Sequence, residues 1–151
     1  MSTEWRRGEF TISTDRSRID LDMVHGFLTA SYWAEGIPRD VVARSLDHSL
    51  AFGLYHDQRQ VGLARVVTDR ATFAYLSDVF VLEAYRGQGL ASWMLEVIHA
   101  HPELQGLRWW LLATRDAHDV YRKGGYVELS APERLMERKF KNVYGKKPES
   151  S

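Results

Sequence analysis

The stretch Val79-Phe80-Val81-Leu82-Glu83-Ala84-Tyr85-Arg86-Gly87-Gln88-Gly89-Leu90-Ala91 constrains the fold more than any other. An apolar, β-branched run enters a turn holding two glycines, and an amphipathic helix opens directly after it. Glycines let the main chain approach a ligand closely and adopt conformations closed to other residues. The unpaired amides of the helix's first turn, at its positive dipole end, make an anion site suited to a pyrophosphate. The same glycines also serve as a plain strand-to-helix turn, and the residues alone leave the two readings even. A Walker loop would need Lys-Ser/Thr after its last glycine, where Leu90-Ala91 stands, and a Rossmann fingerprint would need Gly or Ala where Ser92 stands.

Periodicity around this unit predicts the rest. Phe10–Ser13 reads as a short strand. Asp20 is an N-cap for a helix carrying Leu21, Val24, Phe27 and Leu28 on one face, which ends before Gly36-Ile37-Pro38. Pro38 opens a second helix through Val41, Val42 and Leu46. Leu50–His56 and Val61–Thr68 form a hairpin around Asp57-Gln58-Arg59, and Phe73–Leu82 is a well-buried strand. Gln88–His101 is the amphipathic helix, Trp109–Ala113 a short strand, and Asp116–Lys123 a helix stopped by Gly124-Gly125. Tyr126–Leu129 and Leu135–Phe140 are expected to close the sheet. Hairpins plus a crossover imply an α/β (α+β) fold: a mixed, largely antiparallel sheet flanked by helices.

A chain of 151 residues with 44% hydrophobic and 26% charged residues supports one domain, placed at 1–140, followed by a polar tail at 141–151. Twenty basic residues balance twenty acidic ones, which offers no electrostatic case for nucleic acid or an anionic membrane. With no cysteine, a thiolate nucleophile, a disulfide scaffold and a Cys-ligated metal are impossible. The six histidines fall in no HExxH-like frame, so no metal is expected. No apolar run approaches the roughly 20 residues of a membrane span, and the start carries no secretory pattern, so the expected location is cytoplasmic.

Arg86-x-x-Gly89-x-Ala91 resembles the Arg/Gln-x-x-Gly-x-Gly/Ala signature of the GNAT acetyltransferase superfamily. Ala117-x-x-Val120-Tyr121-Arg122-Lys123-Gly124-Gly125-Tyr126 is similar to that family's Ala-x-x-Leu-Tyr-x-Lys-x-Gly-Phe segment at the expected distance. The resemblance implies acetyl-CoA as acetyl donor, with the main chain of Val79, Phe80 and Val81 paired to its pantetheine arm. It implies that the amides of Arg86, Gly87, Gln88, Gly89, Leu90 and Ala91 hold the pyrophosphate, with Arg86 more a brace than a ligand. Tyr121 matches the family tyrosine that protonates the departing thiolate. Thr114 stands where many relatives have Asn and keeps only a hydroxyl for the pantetheine.

Acyl transfer needs a neutral amine, although a free alkyl amine has a pKa of about 10.4. Asp78, polar beside the apolar run, is either the base that takes this proton or a carboxylate satisfied by local donors, and a water chain is a third route. Ser77 faces the opposite side from Asp78 if the strand is regular. Tyr32 and Trp33, just before Ile37-Pro38, are the acceptor-side candidates, although Trp33 also suits a core role. The expected function is acetyl transfer to a primary amine of a small molecule by direct attack. The alternatives are a protein or peptide amine acceptor, or a non-catalytic acyl-CoA-binding module. Relatives are often dimers, so a homodimer is admitted by analogy.

Overall fold

Hairpins and one crossover set the architecture of the computed structural model, which describes residues 2–144. The strands β1 (Glu4–Arg7), β2 (Phe10–Ser13), β3 (Leu50–His56), β4 (Arg59–Thr68), β5 (Phe73–Val81) and β6 (Trp109–Leu112) lie in one sheet in chain order. All neighbours are antiparallel except β5 and β6, which are parallel. The helices are α1 (Leu21–Thr29), α2 (Arg39–Asp47), α3 (Leu90–Ala100) and α4 (His118–Lys123). The parallel pair is possible because α3 carries the chain back across the sheet between β5 and β6.

Local chemistry explains the boundaries. Asp20 Oδ1 accepts from the Met23 amide at 3.1 Å and caps α1, while the Asp20 amide donates to Gln60 Oε1 at 2.7 Å and ties that cap to β4. Pro38 precedes α2 as expected. A two-residue turn with Asp57 at φ 54° joins β3 to β4. Between β4 and β5 the Asp69 carboxylate accepts from the amides of Ala71, Thr72 and Phe73 and from the Thr72 hydroxyl, which holds its pKa well below the usual carboxylate range.

The sheet separates two cores. On one face Val24 and Leu28 of α1 and Val42 and Leu46 of α2 pack on Ala51, Leu63 and Phe80. On the other, Leu90, Met94, Leu95 and Ile98 of α3 pack on Phe52, Leu54, Ala64, Val66, Leu76 and Val81. Each such side chain taken out of water contributes about 1.5–3 kcal/mol.

Two expectations fail at the ends of the sheet. Glu4–Arg7, not read as a strand, pairs with β2. Tyr126–Leu129 and Leu135–Phe140, expected to close the sheet, form no strand. The reason lies at Tyr126: its amide donates to the Tyr121 carbonyl at 3.0 Å and its hydroxyl sits 2.9 Å from His99 Nε2, so the chain is drawn towards α3 and α4 and away from the β6 edge. Further on, Pro132 opens a 3-10 turn and the charged run Glu137-Arg138-Lys139 stays exposed. Of the expected tail, 141–144 are described, and the Tyr144 carbonyl oxygen lies 3.1 Å from where a Cβ on Gly36 would stand; the remainder lies outside the described residues.

Candidate functional site

The site is built on a break in β5. Opposite β4, Phe80 pairs with Leu63 and Ser77 with Arg65, so Asp78 and Val79 together face Ala64. This β-bulge holds Asp78 at φ 51°, a left-handed conformation that costs a non-glycine residue energy. It inverts the alternation of the strand: Ala74 and Leu76 pack towards α3, and so do Val79 and Val81, while Phe80 turns to α1 and α2. The regular-strand expectation for Ser77 therefore fails. Ser77 and Asp78 both reach Arg65, whose guanidinium donates to Asp78 Oδ2 at 2.8 Å and to Ser77 Oγ at 3.3 Å.

Just before the bulge β5 and β6 part. Their pairing runs from Phe73 opposite Trp109 to Leu76 opposite Leu112 and stops, because β6 ends at Leu112 while β5 continues to Val81. The main chain of Val79, Phe80 and Val81 thus presents an edge without a strand partner among the described residues. Gly62, opposite Val81, keeps this edge in place from behind: a Cβ there would stand 2.7 Å from the Phe80 carbonyl oxygen.

The chain then enters the glycine turn. Arg86 Nε donates to the Val81 carbonyl at 2.9 Å, and Gln88 Nε2 donates to the Tyr85 carbonyl at 3.2 Å. Gly87 and Gly89 sit at φ 81° and 76°, which L side chains rarely adopt, and the space about both is open. Gly89 is the N-cap of α3 and no side chain caps that end, so the first-turn amides at Leu90 and Ala91 remain available to an anion. An open strand edge next to an uncapped helix start fits a pantetheine pyrophosphate.

Three aromatic side chains expected at the site come from α4 and from the loop between α1 and α2. Tyr121, on α4, is half-buried, and burial followed by the nearby Tyr32 phenol pushes its pKa up to about 12. Burial thus favours the protonated phenol. Thr114 Oγ1 accepts from the Ala117 amide at 3.0 Å and shapes the turn into α4. Tyr32 and Trp33 lie on the loop between α1 and α2, 50% and 42% exposed. The Trp33 indole donates to Asp78 Oδ1 at 2.8 Å, and the Tyr32 hydroxyl accepts from the Arg115 amide at 3.3 Å with the Arg115 guanidinium 3.8 Å from its ring centroid. Phe80 stacks on Phe27 at 3.8 Å and Phe27 leans on Trp33, so an aromatic row links the broken strand to this loop. Trp33 is thus bonded to Asp78 and packed against Phe27.

Residues 47–128 match the family model of the acetyltransferase (GNAT) domain. The chain belongs to the GNAT acetyltransferase family. Over 91% of its length this GNAT chain superposes on 97% of a candidate GNAT-family acetyltransferase from Xanthomonas campestris pv. campestris, with TM-score 0.88 and 46% identity. It is 32% identical to a candidate acetyltransferase of Gibberella zeae, the match covering 79% of each chain. A Clostridium acetobutylicum candidate acetyltransferase solved with acetyl-CoA shares the fold, at TM-score 0.62 and 14% identity over 92% of this chain and 96% of that one. Members of the GNAT family use acetyl-CoA, and the chain is placed in the transferase class with them.

The sequence reading missed Arg65 and the bulge. Arg65 sits in an otherwise apolar strand, Val61 to Val67, and a charge in such a run signals a buried partner. The bulge had no comparable signal, since Asp at a left-handed position reads locally like any strand-interruption.

Proposed function

We propose that the protein transfers the acetyl group of acetyl-CoA to a primary amine of a small molecule by direct attack. The observation that carries this is the parting of β5 from β6 beyond Leu76 and Leu112, beside the uncapped start of α3. Val79, Phe80 and Val81 pair with the pantetheine arm, the Arg86-to-Ala91 amides hold the pyrophosphate, and Thr114 lines the arm through its turn. An amide at the bulge stabilises the oxyanion. Tyr121 gives its proton to the leaving thiolate. A phenol near 12 is intrinsically a poor donor to a thiolate whose conjugate acid lies near 8.5, so position and desolvation must carry the transfer.

Asp78 is the less free of the two catalytic candidates. Both of its oxygens are engaged, by Arg65 and by Trp33, so the amine proton leaves through water. Tyr32 and Trp33 form the acceptor wall. Their exposure also favours a second reading, a protein or peptide amine, because a half-open wall admits a side chain on a larger partner. The acting form is cytoplasmic, in keeping with a cysteine-free chain; among the described residues no helix is long and apolar enough to cross a membrane. A homodimer is supported by the outer edge of β6, which pairs with no strand among the described residues, and by Met136, 98% exposed in the segment after α4; light scattering decides it.

Turnover tests the whole reading. With acetyl-CoA bound, an amine screen that gives acetylated product from small amines, and none from peptides, upholds the small-molecule acceptor. Binding without turnover of any amine returns the non-catalytic module.

A further inference from the structure

Arg65 belongs to no motif, yet it is firmly held. Its three nitrogens are all committed: Nε to Asp78 Oδ2 at 2.8 Å, one terminal nitrogen to Ser49 Oγ at 3.0 Å, the other to Ser77 Oγ at 3.3 Å. Ser49 in turn donates to the Ser45 carbonyl at 2.7 Å, which fastens the cation to the end of α2. Only 17% of the Arg65 side chain and 8% of the Asp78 side chain meet water, so this is a nearly dry ion pair. Such a pair gives weak net stability against an apolar replacement, while breaking one partner costs a great deal. Its value must lie in what it positions.

The second oxygen of Asp78 shows what that is. It accepts from Trp33, on a loop that has no strand pairing to fix it. Asp78 is also the left-handed residue that makes the bulge. One carboxylate therefore sets the main-chain break in the cofactor strand and the direction of an indole on the acceptor side. Arg65 fixes the carboxylate's rotation, since a bond to one oxygen alone would leave the group freer to turn about its Cβ–Cγ bond. We propose that Arg65 is a positioning residue: acting through Asp78, it registers the Trp33 acceptor wall against the broken segment of β5. The catalytic consequence rests on the acceptor-wall reading above; the positional one does not.

Two measurements separate these. Trp33 is one of five tryptophans, so its indole N–H signal can be assigned by Trp33→Phe. In the native protein that proton is expected to exchange slowly with water. Arg65→Gln should speed its exchange about tenfold, the loss expected for one charge-assisted hydrogen bond, with Arg65→Lys restoring much of the protection. The other four indoles should not move in either variant. Equal acceleration of all the indoles would mean general loosening, and unchanged Trp33 exchange would mean no linkage; both overturn the proposal. The second measurement uses tyramine as the probe amine at saturating acetyl-CoA. Arg65→Gln and Trp33→Phe should each raise the KM for tyramine, and their effects should be non-additive because both act through one carboxylate. Additive effects overturn the proposal. Absence of acetyl-CoA binding in the native protein would sink the acetyltransferase reading while the indole exchange still decides the role of Arg65.

Discussion

The two halves of the site are made of different material. The proposed cofactor half is main chain: the open edge of β5, two left-handed glycines and the uncapped amides of α3. The proposed acceptor half is side chain: Trp33 and Tyr32 on one loop, with Trp33 bonded to Asp78 and Tyr32 to the Arg115 amide. Main-chain recognition tolerates change at most side chains but not in backbone conformation. Side-chain recognition on loops can be retuned residue by residue, which lets one fold serve many acceptors.

The largest effect should come at the proposed acid. Tyr121→Phe removes that acid alone, so kcat should fall by about 10²–10⁴-fold while acetyl-CoA affinity stays at the native value. A variant that keeps native turnover would remove Tyr121 from the chemistry. Next, Gly62→Ala drives a Cβ to 2.7 Å from the Phe80 carbonyl oxygen, against backbone that cannot swing aside. It should cost about 1–3 kcal/mol in denaturant unfolding and weaken acetyl-CoA binding as β5 is displaced. Asp78→Asn should raise the amine KM and leave the pH dependence of kcat/KM unaltered. A shifted profile would restore Asp78 as the base.

The smallest effect is on stability at the pH extremes. Burial raises Tyr121 and Tyr55 to about 12, above the ordinary phenol value near 10. The stability they contribute is complete below pH 10 and is lost as pH rises through 12. Burial lowers His99 and His101 below the ordinary value of about 6.5, so their contribution is complete above that pH and is lost as pH falls through the folded-state values. Melting temperature against pH should fall at both ends; a flat profile would place these rings in water.

Legibility followed the same division. The glycine turn, the α3 stripe and the Asp20 cap could be read because each is a local pattern with a local cause. Tyr126–Leu129 looked like a strand because apolar residues there suggest one, but its tyrosine bonds to His99 on α3, a contact 27 residues away in sequence. Likewise Asp78 could be flagged as anomalous, whereas its partners came from β4 and from the loop before α2. Pairing across the fold is where a single sequence runs out.

Calorimetric titration with acetyl-CoA tests the central claim most directly, run on the native protein, on Gly89→Val and on Trp33→Phe. The account predicts micromolar binding to the native protein and to Trp33→Phe, since the indole belongs to the acceptor half. For Gly89→Val it predicts affinity weakened about tenfold or more, because a β-branched residue at φ 76° strains the turn by at least the 1–2 kcal/mol of a left-handed residue. No heat with native protein, or binding untouched by Gly89→Val, would contradict it and leave the glycines as an ordinary strand-to-helix turn.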